Sequence, residues 1–302
     1  MFDFEFLLSD RIQKIRQINE QYDLRNCSYV SFSGGKDSAV LSTLIDLALP
    51  ANKIPRVFCN TGIEYKEIVN FVKSQQKKDS RIVIINSGVN IREMLEQNGY
   101  PFKSKEHAHK LQLLQQGSKC QSVKSYFTES ADGVTRHNCP KMLMYQKNGF
   151  NKFKVSDKCC TILKKRPMAE WSKENKKPIA IIGIRNAEGG QRAQVKNCLY
   201  YQRSKLKKFS PMLVCDDDFI NWFIERHNIE LCKLYYAPFN FRRTGCKGCP
   251  FNIHLEKELA MLGLYFPAER KQCEQIFKPV YDEYRILNYR LHANPPILDE
   301  TL

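Results

Sequence analysis

The chain has 302 residues, of which 42% are hydrophobic and 26% are charged. These values predict one large or two smaller folded domains and exclude an intrinsically disordered chain. The acidic start of the chain lacks the features of a signal peptide, and no apolar run approaches the roughly 18 residues of a membrane span. We therefore expect a cytoplasmic protein that does not enter a membrane.

The formal net charge of +16 is concentrated in the middle of the chain. Residues 103–208 contain 24 Lys and Arg against 7 Asp and Glu, whereas the segments on either side are close to neutral. A solvated lysine-rich face is one explanation for this excess. A basic field this local also attracts polyanions through counterion release, which favours a nucleic acid such as tRNA or DNA, or another polyanion, as a partner.

Hydrophobic periodicity predicts strands that alternate with helices over the first third of the chain. In chain order it predicts a helix at 4–20, a strand at 28–33, a helix at 38–49, a strand at 56–60, a helix at 64–74, a strand at 81–87 and a helix at 90–99. This alternation is typical of right-handed βαβ units, so we expect an α/β fold with a doubly wound parallel sheet.

The rest of the chain is less regular. Residues 103–158 are polar, basic and weakly periodic, with one helix predicted near 105–116, and we interpret them as a basic insertion. A buried strand is predicted at 177–184, a helix at 216–228 and mainly helices beyond 250. The predicted division is an N-terminal helix at 1–27, a nucleotide-binding and catalytic domain at 28–250 and a helical C-terminal extension at 251–302.

The segment "SGGKDS" (33–38) joins the first strand to the next helix. Glycines at this point let an anion approach the backbone N–H groups at the helix N-terminus, which is the arrangement of a phosphate cradle. The spacing is neither that of a Walker A loop nor that of a dinucleotide-binding turn. A tight strand-to-helix turn alone would need the glycines but not the serines, Lys36 and Asp37 around them.

This segment resembles the PP-loop of the ATP pyrophosphatases in the adenine nucleotide alpha-hydrolase-like superfamily. More narrowly, the chain is similar to the phosphoadenosine phosphosulfate (PAPS) reductase family. The blocks that carry the similarity are "VFCNTGIEYKEIVNFV" (57–72), "YPFKSKE" (100–106), "KVSDKCCTILKKRP" (154–167), "GIRNAEGGQR" (183–192) and "RTGCKGCPF" (243–251).

The resemblance implies a nucleotide bound across the carboxyl ends of the strands, with ATP and Mg²⁺ as cofactors. The residues implied to hold its β- and γ-phosphates are Ser33, Gly34, Gly35, Lys36 and Ser38, and those implied to line its pocket are Asn60, Thr61 and Gly62. Asp37 is implied to help place Mg²⁺. Arg185 and Arg192 follow a buried strand, and their guanidinium groups are suited to phosphate or sulfate oxygens, with Glu188 orienting one of them.

Four of the twelve cysteines form two dense pairs, Cys159–Cys160 and Cys246–Cys249. A Cys-x-x-Cys pair lets two thiolates converge on one metal centre, and a second pair completes a four-thiolate site. Adjacent cysteines suit tetrahedral zinc less well, and the pattern resembles that of the adenylyl-sulfate reductases, where it holds a four-iron four-sulfur cluster. A redox dithiol and a zinc site remain the alternatives.

Cys120 and Cys139 lie in the basic segment, with His137 nearby. They are candidates for metal ligands or for a persulfide relay, although thiols of a surface loop without such a role are the simpler interpretation.

Together these features predict an enzyme that adenylates an acceptor with release of pyrophosphate, for iron–sulfur-assisted transfer of sulfur to a nucleic acid or another polyanion. A sulfur donor or reductant protein would be a further partner. The first alternative is a sulfonucleotide (APS or PAPS) reductase, whose PP-loop is usually degraded and whose nucleophile is a C-terminal cysteine; here the loop is intact and "NYRLHANPPILDETL" has no cysteine. The second is a non-catalytic nucleic-acid-binding module, which would leave the intact loop unexplained.

Overall fold

The computed structural model describes residues 4–128 and 138–293. Its strands are β1 Ser28–Ser31, β2 Arg56–Asn60, β3 Ile82–Asn86, β4 Ile179–Ile181, β5 Leu199–Gln202 and β6 Lys205–Phe209. Its α-helices are α1 Phe4–Tyr22, α2 Leu24–Cys27, α3 Lys36–Ala48, α4 Lys66–Lys78, α5 Ile91–Asn98, α6 Lys105–Gln115, α7 Gln121–Tyr126, α8 Arg166–Glu174, α9 Asp217–Arg226, α10 Leu255–Tyr265, α11 Pro267–Ile276 and α12 Lys278–Ile286.

The six strands form one sheet in the order β3-β2-β1-β4-β6-β5. All neighbouring pairs are parallel except β5 and β6, which are antiparallel. The strand order reverses at β1, so β1 lies at the point of an open α/β sheet where ligands usually bind, next to the carboxyl ends of the strands. The predicted α/β class and its mostly parallel sheet are confirmed.

Helices cover both faces of the sheet. Val30 of β1 belongs to a buried cluster with residues of α1, α3 and α9, and each such fully buried side chain contributes about 1.5–3 kcal/mol. Its neighbour Tyr29 points to the opposite face, where its ring lies 5.5 Å from that of Trp171 on α8. A strand buried on both faces explains why "SYVSF" reads as a nearly continuous apolar run.

The antiparallel hairpin of β5 and β6 is absent from the sequence prediction. Its turn is made by Arg203 and Ser204, which both adopt positive φ, at 48° and 62°. Two-residue hairpin turns usually contain Asn-Gly or a similar pair, and Arg-Ser is not typical of such a turn. The predicted strand at 177–184 is also shorter in the structure, where β4 spans only Ile179–Ile181.

The described residues form two compact units, each of which makes most of its contacts within itself. Unit 1 contains the residues up to Asn60 together with Glu64–Ser87 and Arg166–Thr244, and it holds the whole sheet. Unit 2 contains Thr61–Ile63, Gly88–Lys165 and the residues from Gly245 onward, and its regular elements are helices. The division into 1–27, 28–250 and 251–302 remains a prediction.

Unit 2 has an aromatic core of its own. The ring of Phe102 lies 4.9 Å from that of Tyr284 on α12, and both side chains are fully buried. Phe127 and Leu143, from the segment interpreted as a basic insertion, are also buried, so this segment supplies core residues as well as surface lysines. None of the described helices is long and apolar enough to span a membrane.

Candidate functional site

The turn between β1 and α3 requires glycine at Gly34 for two separate reasons. Gly34 has a φ of +71°, a conformation that side chains disfavour. A Cβ atom there would also lie 2.7 Å from Val72 Cγ2 and 3.1 Å from Ile68 Cγ2, both on α4. The chain therefore passes close beneath α4 before it enters α3 at Lys36, and this fixes the direction of the α3 N-terminus.

The two serines of the loop hold it in shape. Ser38 Oγ donates a hydrogen bond of 2.8 Å to the Gly35 carbonyl and accepts one of 3.2 Å from the Ser33 amide. The Ser33 and Ser38 hydroxyls lie 3.1 Å apart, and the Gly35 amide donates to Ser33 Oγ at 3.3 Å. The phosphate contacts implied for both serines remain predictions; the structure gives the hydroxyls a bracing role within the loop.

A tyrosine hydroxyl occupies the N-terminus of α3. The Lys36 amide donates to Tyr235 Oη at 3.1 Å, and Tyr235 Oη lies 2.8 Å from Thr244 Oγ1. A Cβ on Gly35 would lie 2.9 Å from Tyr235 Oη and 3.0 Å from Thr244 Oγ1. Gly35 therefore admits oxygen atoms to the helix end, where backbone N–H groups and the helix dipole favour anionic oxygen.

Asp37 and Arg185 form a buried ion pair beside the loop. Arg185 Nε donates to Asp37 Oδ1 at 2.8 Å, and Arg185 Nη2 donates to Asp217 Oδ1 at 2.8 Å. Burial raises the pKa of Asp37 even though Arg185 acts in the opposite direction. Only 4% of the Arg185 side chain is exposed, so its guanidinium organises two carboxylates here, and its expected role toward a substrate anion stays a prediction.

The Glu188 carboxylate contacts three arginines. Its carboxylate accepts a hydrogen bond of 2.9 Å from the Arg185 amide, pairs with Arg192 and lies 3.3 Å from Arg243 Nη2. Glu188 is buried at its side chain, whereas Arg192 and Arg243 are well exposed. A buried carboxylate thus holds two exposed guanidinium groups, which are suited to phosphate or sulfate oxygens, and the anion-binding role of Arg192 remains a prediction.

The remaining residues implied for the pocket lie near the end of β2. Asn60 is the last residue of that strand and belongs to unit 1, while Thr61 and Gly62 begin the short segment assigned to unit 2. Thr61 is buried, and its Oγ1 accepts a hydrogen bond of 3.4 Å from the Ile63 amide. Gly62 has a φ of +84°, and a Cβ there would meet no heavy atom within 4 Å. Their nucleotide contacts remain predictions.

The four paired cysteines all belong to unit 2. Cys159 and Cys160 precede a wide helical turn at Thr161–Lys165, and their sulfur atoms are 4.0 Å apart. A hydrogen bond from Cys159 and the charges of Lys105, Lys164 and Lys165 lower the pKa of Cys160 to about 6.

The second pair is electrostatically coupled to the first. The hydrogen bond to Cys160, burial and the thiolates of Cys249 and Cys246 raise the pKa of Cys159. Burial, Cys246 and Cys160 in turn raise that of Cys249. Each pair therefore responds to the charge of the other, although the two pairs lie far apart in the sequence.

Side chains from the C-terminal helices hold the Cys246–Cys249 loop. The Gly248 amide donates to Glu258 Oε1 at 2.8 Å, and the Gly248 carbonyl accepts a hydrogen bond from the Tyr281 hydroxyl. The Pro250 carbonyl accepts bonds from Tyr284 at 3.0 Å and Arg290 at 2.6 Å. We call these four side chains, with Glu269, the loop cage.

Inside the cage, Lys247 is buried with its Nζ 2.8 Å from Glu269 Oε2, and its amide donates to the Ile63 carbonyl at 2.9 Å. Outer partners of this kind fix the orientation of metal-binding loops. Among the residues that the structure describes, no three His, Cys, Asp or Glu side chains are gathered closely enough to hold a single metal ion.

The comparison with protein families identifies the chain. The family model of the phosphoadenosine phosphosulfate reductase domain matches residues 28–134 and 128–252. The chain belongs to this family. The matched region includes the phosphate loop, the arginine cluster and all four paired cysteines, whereas helices α10–α12, which supply the cage, lie beyond it.

Other similarities are more distant. An uncharacterized protein of Methanocaldococcus jannaschii is 29% identical over 158 residues, which cover 47% of this chain and only 36% of that protein. A PAPS reductase from Candida auris in complex with phosphate has 11% identity and a TM-score of 0.43, covering 77% of this chain and 87% of that one. A U34-tRNA thiolase from Methanococcus maripaludis, solved with its 4Fe-4S cluster, has 15% identity and a TM-score of 0.39, covering 98% and 84%. These scores are too low to support a functional assignment.

The remaining cysteine candidates of this family member differ sharply from each other. Cys120 is exposed, with its sulfur 3.0 Å from Ser122 Oγ, and this hydrogen bond lowers its pKa to about 7. Cys139 is buried, and burial raises its pKa to about 11. Their roles as ligands or relay remain predictions, and His137 lies outside the described residues.

Sequence reasoning missed Tyr235 and the loop cage. Tyr235 stands 199 residues from Lys36, in a segment without a recognisable motif. Thr244 alone carried a signal, because it belongs to the block that contains the second cysteine pair. The cage residues are ordinary glutamates and tyrosines of helices together with Arg290, which follows α12, and only tertiary packing gives them a role.

Proposed function

We propose that this chain binds ATP and adenylates an oxygen atom of an acceptor, with release of pyrophosphate. The observation that carries the proposal is the intact phosphate loop: Gly34 lets the chain turn beneath α4, and Gly35 admits oxygen atoms to the N-terminus of α3, which begins at Lys36 and Asp37. Phosphate oxygens are among the anionic ligands that such a helix N-terminus favours. Membership of the reductase-domain family is consistent with adenine nucleotide binding.

In the proposed reaction the acceptor oxygen attacks the α-phosphorus of ATP, and the bond from that phosphorus to the bridging oxygen breaks. The bonding electron pair leaves on pyrophosphate, where Lys36 and the amides of Gly34 and Gly35 stabilise the charge. Asp37 would help to hold Mg²⁺, and a bound Mg²⁺ would neutralise part of the phosphate charge. A hydrosulfide equivalent from a donor protein then attacks the acceptor carbon, and AMP leaves with the activated oxygen.

We further propose that Cys159, Cys160, Cys246 and Cys249 hold a four-iron four-sulfur cluster. Their chemistry fits the group, because four thiols in one unit influence one another's pKa values and Lys105, Lys164 and Lys165 would offset the negative charge of a bound cluster. Zinc would need all four sulfurs about 2.3 Å from one point, whereas a cluster takes one cysteine per iron and spaces them more widely. When bound, such a cluster supplies a binding place for sulfide.

The proposed acceptor is a nucleic acid, tRNA or DNA, or another polyanion, because the excess of basic residues over 103–208 matches a phosphate backbone. A cytoplasmic location is proposed with it, since twelve cysteines without disulfide bonds in the described chain suit a reducing compartment.

A sulfonucleotide reductase is the second candidate, favoured by the family match over 28–252. Its substrate would place a sulfate near Arg192 and Arg243 and would leave the diphosphate cradle without a ligand. A non-catalytic nucleic-acid-binding module would explain the charge but neither the loop nor the cysteines.

The deciding experiment incubates anaerobically purified protein with ATP, Mg²⁺ and candidate RNAs or DNA, and follows AMP and pyrophosphate. Acceptor-dependent formation of both products supports the proposal. Sulfite release from APS or PAPS, without pyrophosphate from ATP, would establish the reductase instead.

A further inference from the structure

The β5–β6 hairpin forms one edge of the sheet and presents an unusual surface, which we call the edge hairpin (residues 196–208). Its outer strand β5 carries two adjacent tyrosines, Tyr200 and Tyr201, whose side chains are 52% and 41% exposed. Natural proteins commonly protect an edge strand with charges or proline on the strand itself. Tyrosine rings are enriched at interfaces, so the exposed rings of this edge are available to a partner molecule.

The hairpin also carries five cations. They are Lys196, Arg203, Lys205, Lys207 and Lys208, and the sequence contains no Asp or Glu between Glu188 and Asp216. Within the described part of the chain none of the five forms an ion pair with an acidic side chain. Basic side chains on a solvated surface usually find acidic neighbours, so this local charge is left for a partner.

The geometry of the strand pair places the Tyr200 ring beside a cation. Tyr200 lies directly opposite Lys208 in the ladder, and Lys208 Nζ is 5.1 Å from the centre of the Tyr200 ring. The register shifts between Tyr200 and Tyr201 because β6 has an extra residue, Lys207, so β5 keeps its alternation and the two rings point to opposite faces of the hairpin. The Tyr201 side chain is held by a hydrogen bond to α1, because its hydroxyl lies 3.0 Å from that of Tyr22.

We propose that the edge hairpin binds a single-stranded segment of nucleic acid. Unpaired bases stack on exposed aromatic rings whatever their sequence, and phosphates pair with neighbouring cations. A protein strand added to the edge of β5 would use the backbone and would not require five unpaired cations, and duplex nucleic acid offers no bases to stack. The inference deepens the proposed function, on which it rests for the identity of the acceptor, by naming where that acceptor docks.

The test measures the binding of a fluorescent uridine RNA of about 20 nucleotides, longer than the roughly 4–16 nucleotides such surfaces cover, to the full-length protein by anisotropy. A thymidine DNA strand and a duplex of equal length are run in parallel, at several salt concentrations and without ATP. We expect one or both single strands to bind more tightly than the duplex, with an affinity that falls steeply as salt rises.

Two sets of variants locate the surface. The triple variant Arg203→Ala, Lys205→Ala, Lys207→Ala should reduce the slope of log affinity against log salt by about 2. Each phosphate that the protein neutralises contributes about 0.7 to this slope for a single strand, and the variant loses three cations. Its matched control is Lys53→Ala, Lys73→Ala, Lys77→Ala, which removes the same charge from exposed positions. Lys53 precedes β2, and Lys73 and Lys77 lie in α4, so this variant should change the slope little. Tyr200→Ala should weaken single-strand binding by about tenfold, and Tyr200→Phe should restore it.

Equal losses in the two triple variants, or a duplex bound as well as either single strand, would overturn the proposal. The proposal would also be overturned if the wild-type protein bound neither single strand at low salt. The edge of β5 would then be a candidate for pairing with a protein strand instead. Circular dichroism melting of each variant checks that it folds. Because the measurement needs neither ATP nor a cluster, its failure leaves adenylation untouched, and absence of AMP formation with intact hairpin binding would defeat the proposed function alone.

Discussion

The hydroxyl of Tyr235 accepts a hydrogen bond of 3.1 Å from the Lys36 amide, at the first residue of α3. This is the position at which a phosphate oxygen would bind the helix N-terminus. The tyrosine hydroxyl therefore acts as a neutral substitute for an anionic oxygen and has to move, or share the amide, when a nucleotide enters.

Tyr235→Phe should tighten ATP binding by about twofold to tenfold, because it removes an acceptor that competes for the Lys36 amide, worth about 0.5–1.5 kcal/mol. The same change should lower the stability of the nucleotide-free protein by about 1 kcal/mol. Isothermal titration with ATP and urea unfolding measure the two effects. Tyr236→Phe, at the exposed neighbouring position, is the control. A loss of ATP affinity in Tyr235→Phe would show that the hydroxyl is a ligand of the nucleotide.

Lys36→Ala should weaken ATP binding by about tenfold to a hundredfold, since a charge-assisted hydrogen bond is worth about 1.5–3 kcal/mol. AMP binding should change much less, because AMP has no β- or γ-phosphate at the loop. Calorimetry with both nucleotides in the presence of Mg²⁺ tests this, with Lys53→Ala as the control. Wild-type protein that binds ATP no more tightly than AMP would refute the assignment of the loop.

Protein purified without oxygen should be brown and contain about four irons per chain. Cys246→Ser or Cys249→Ser should remove the colour and the iron and destabilise unit 2, because a filled metal site contributes to folding. Cys27→Ser should do neither. Iron analysis and visible absorption give the result, and stoichiometric zinc in place of iron would contradict it.

Glu258→Gln should loosen the cysteine loop. The carboxylate accepts from the Gly248 amide at 2.8 Å and from Asn252 Nδ2 at 2.6 Å, and a glutamine can accept only one of these bonds. We expect a loss of about 1–3 kcal/mol in the free energy of unfolding and faster loss of iron to a chelator. Glu256→Gln, on the same helix and bonded to the exposed His292, is the control. Unchanged stability and chelation rates would mean that the cage is dispensable.

His107 should make unit 2 sensitive to acid. The side chain is fully buried, with Nε2 donating to Gln146 Oε1 at 2.9 Å and Nδ1 lying 3.0 Å from the Tyr126 hydroxyl, and burial lowers its pKa from about 6.5 to about 3. Because the folded protein holds His107 in its neutral form, the contribution of this histidine to the free energy of unfolding is fully present above pH 6.5. Because the unfolded chain gains a proton below that pH, this contribution is lost as the pH falls toward 3, by at most about 1.4 kcal/mol per unit.

Urea unfolding between pH 7 and pH 4 tests this expectation. His107→Gln should flatten the pH dependence while lowering stability at pH 7, whereas His109→Gln, on the exposed side of the same helix, should leave the slope unchanged. The same slope in wild type and His107→Gln would rule out His107 as its source.

The sequence was most informative where one residue type serves one backbone conformation. The glycines and the alternating apolar runs predicted the β1–α3 turn and the parallel strands, because Gly34 has no substitute at positive φ beneath Val72. The hairpin turn at Arg203–Ser204 could not be predicted in this way, since neither residue is typical of left-handed conformation. Tyr235, Glu258 and Tyr281 act through contacts between segments far apart in the chain, which no local pattern records.

The loop cage also determines the order in which this protein can be assembled. The second cysteine pair leaves the ribosome well before the helices that hold it, because 40 residues separate Pro250 from its partner Arg290. At about 5–20 residues per second, translation needs about 2–8 s to supply them. During that interval the thiols of a half-made unit 2 have no fixed geometry. We therefore expect maturation of the proposed cysteine centre to be a late event in biosynthesis that depends on helices outside the region matched by the family domain.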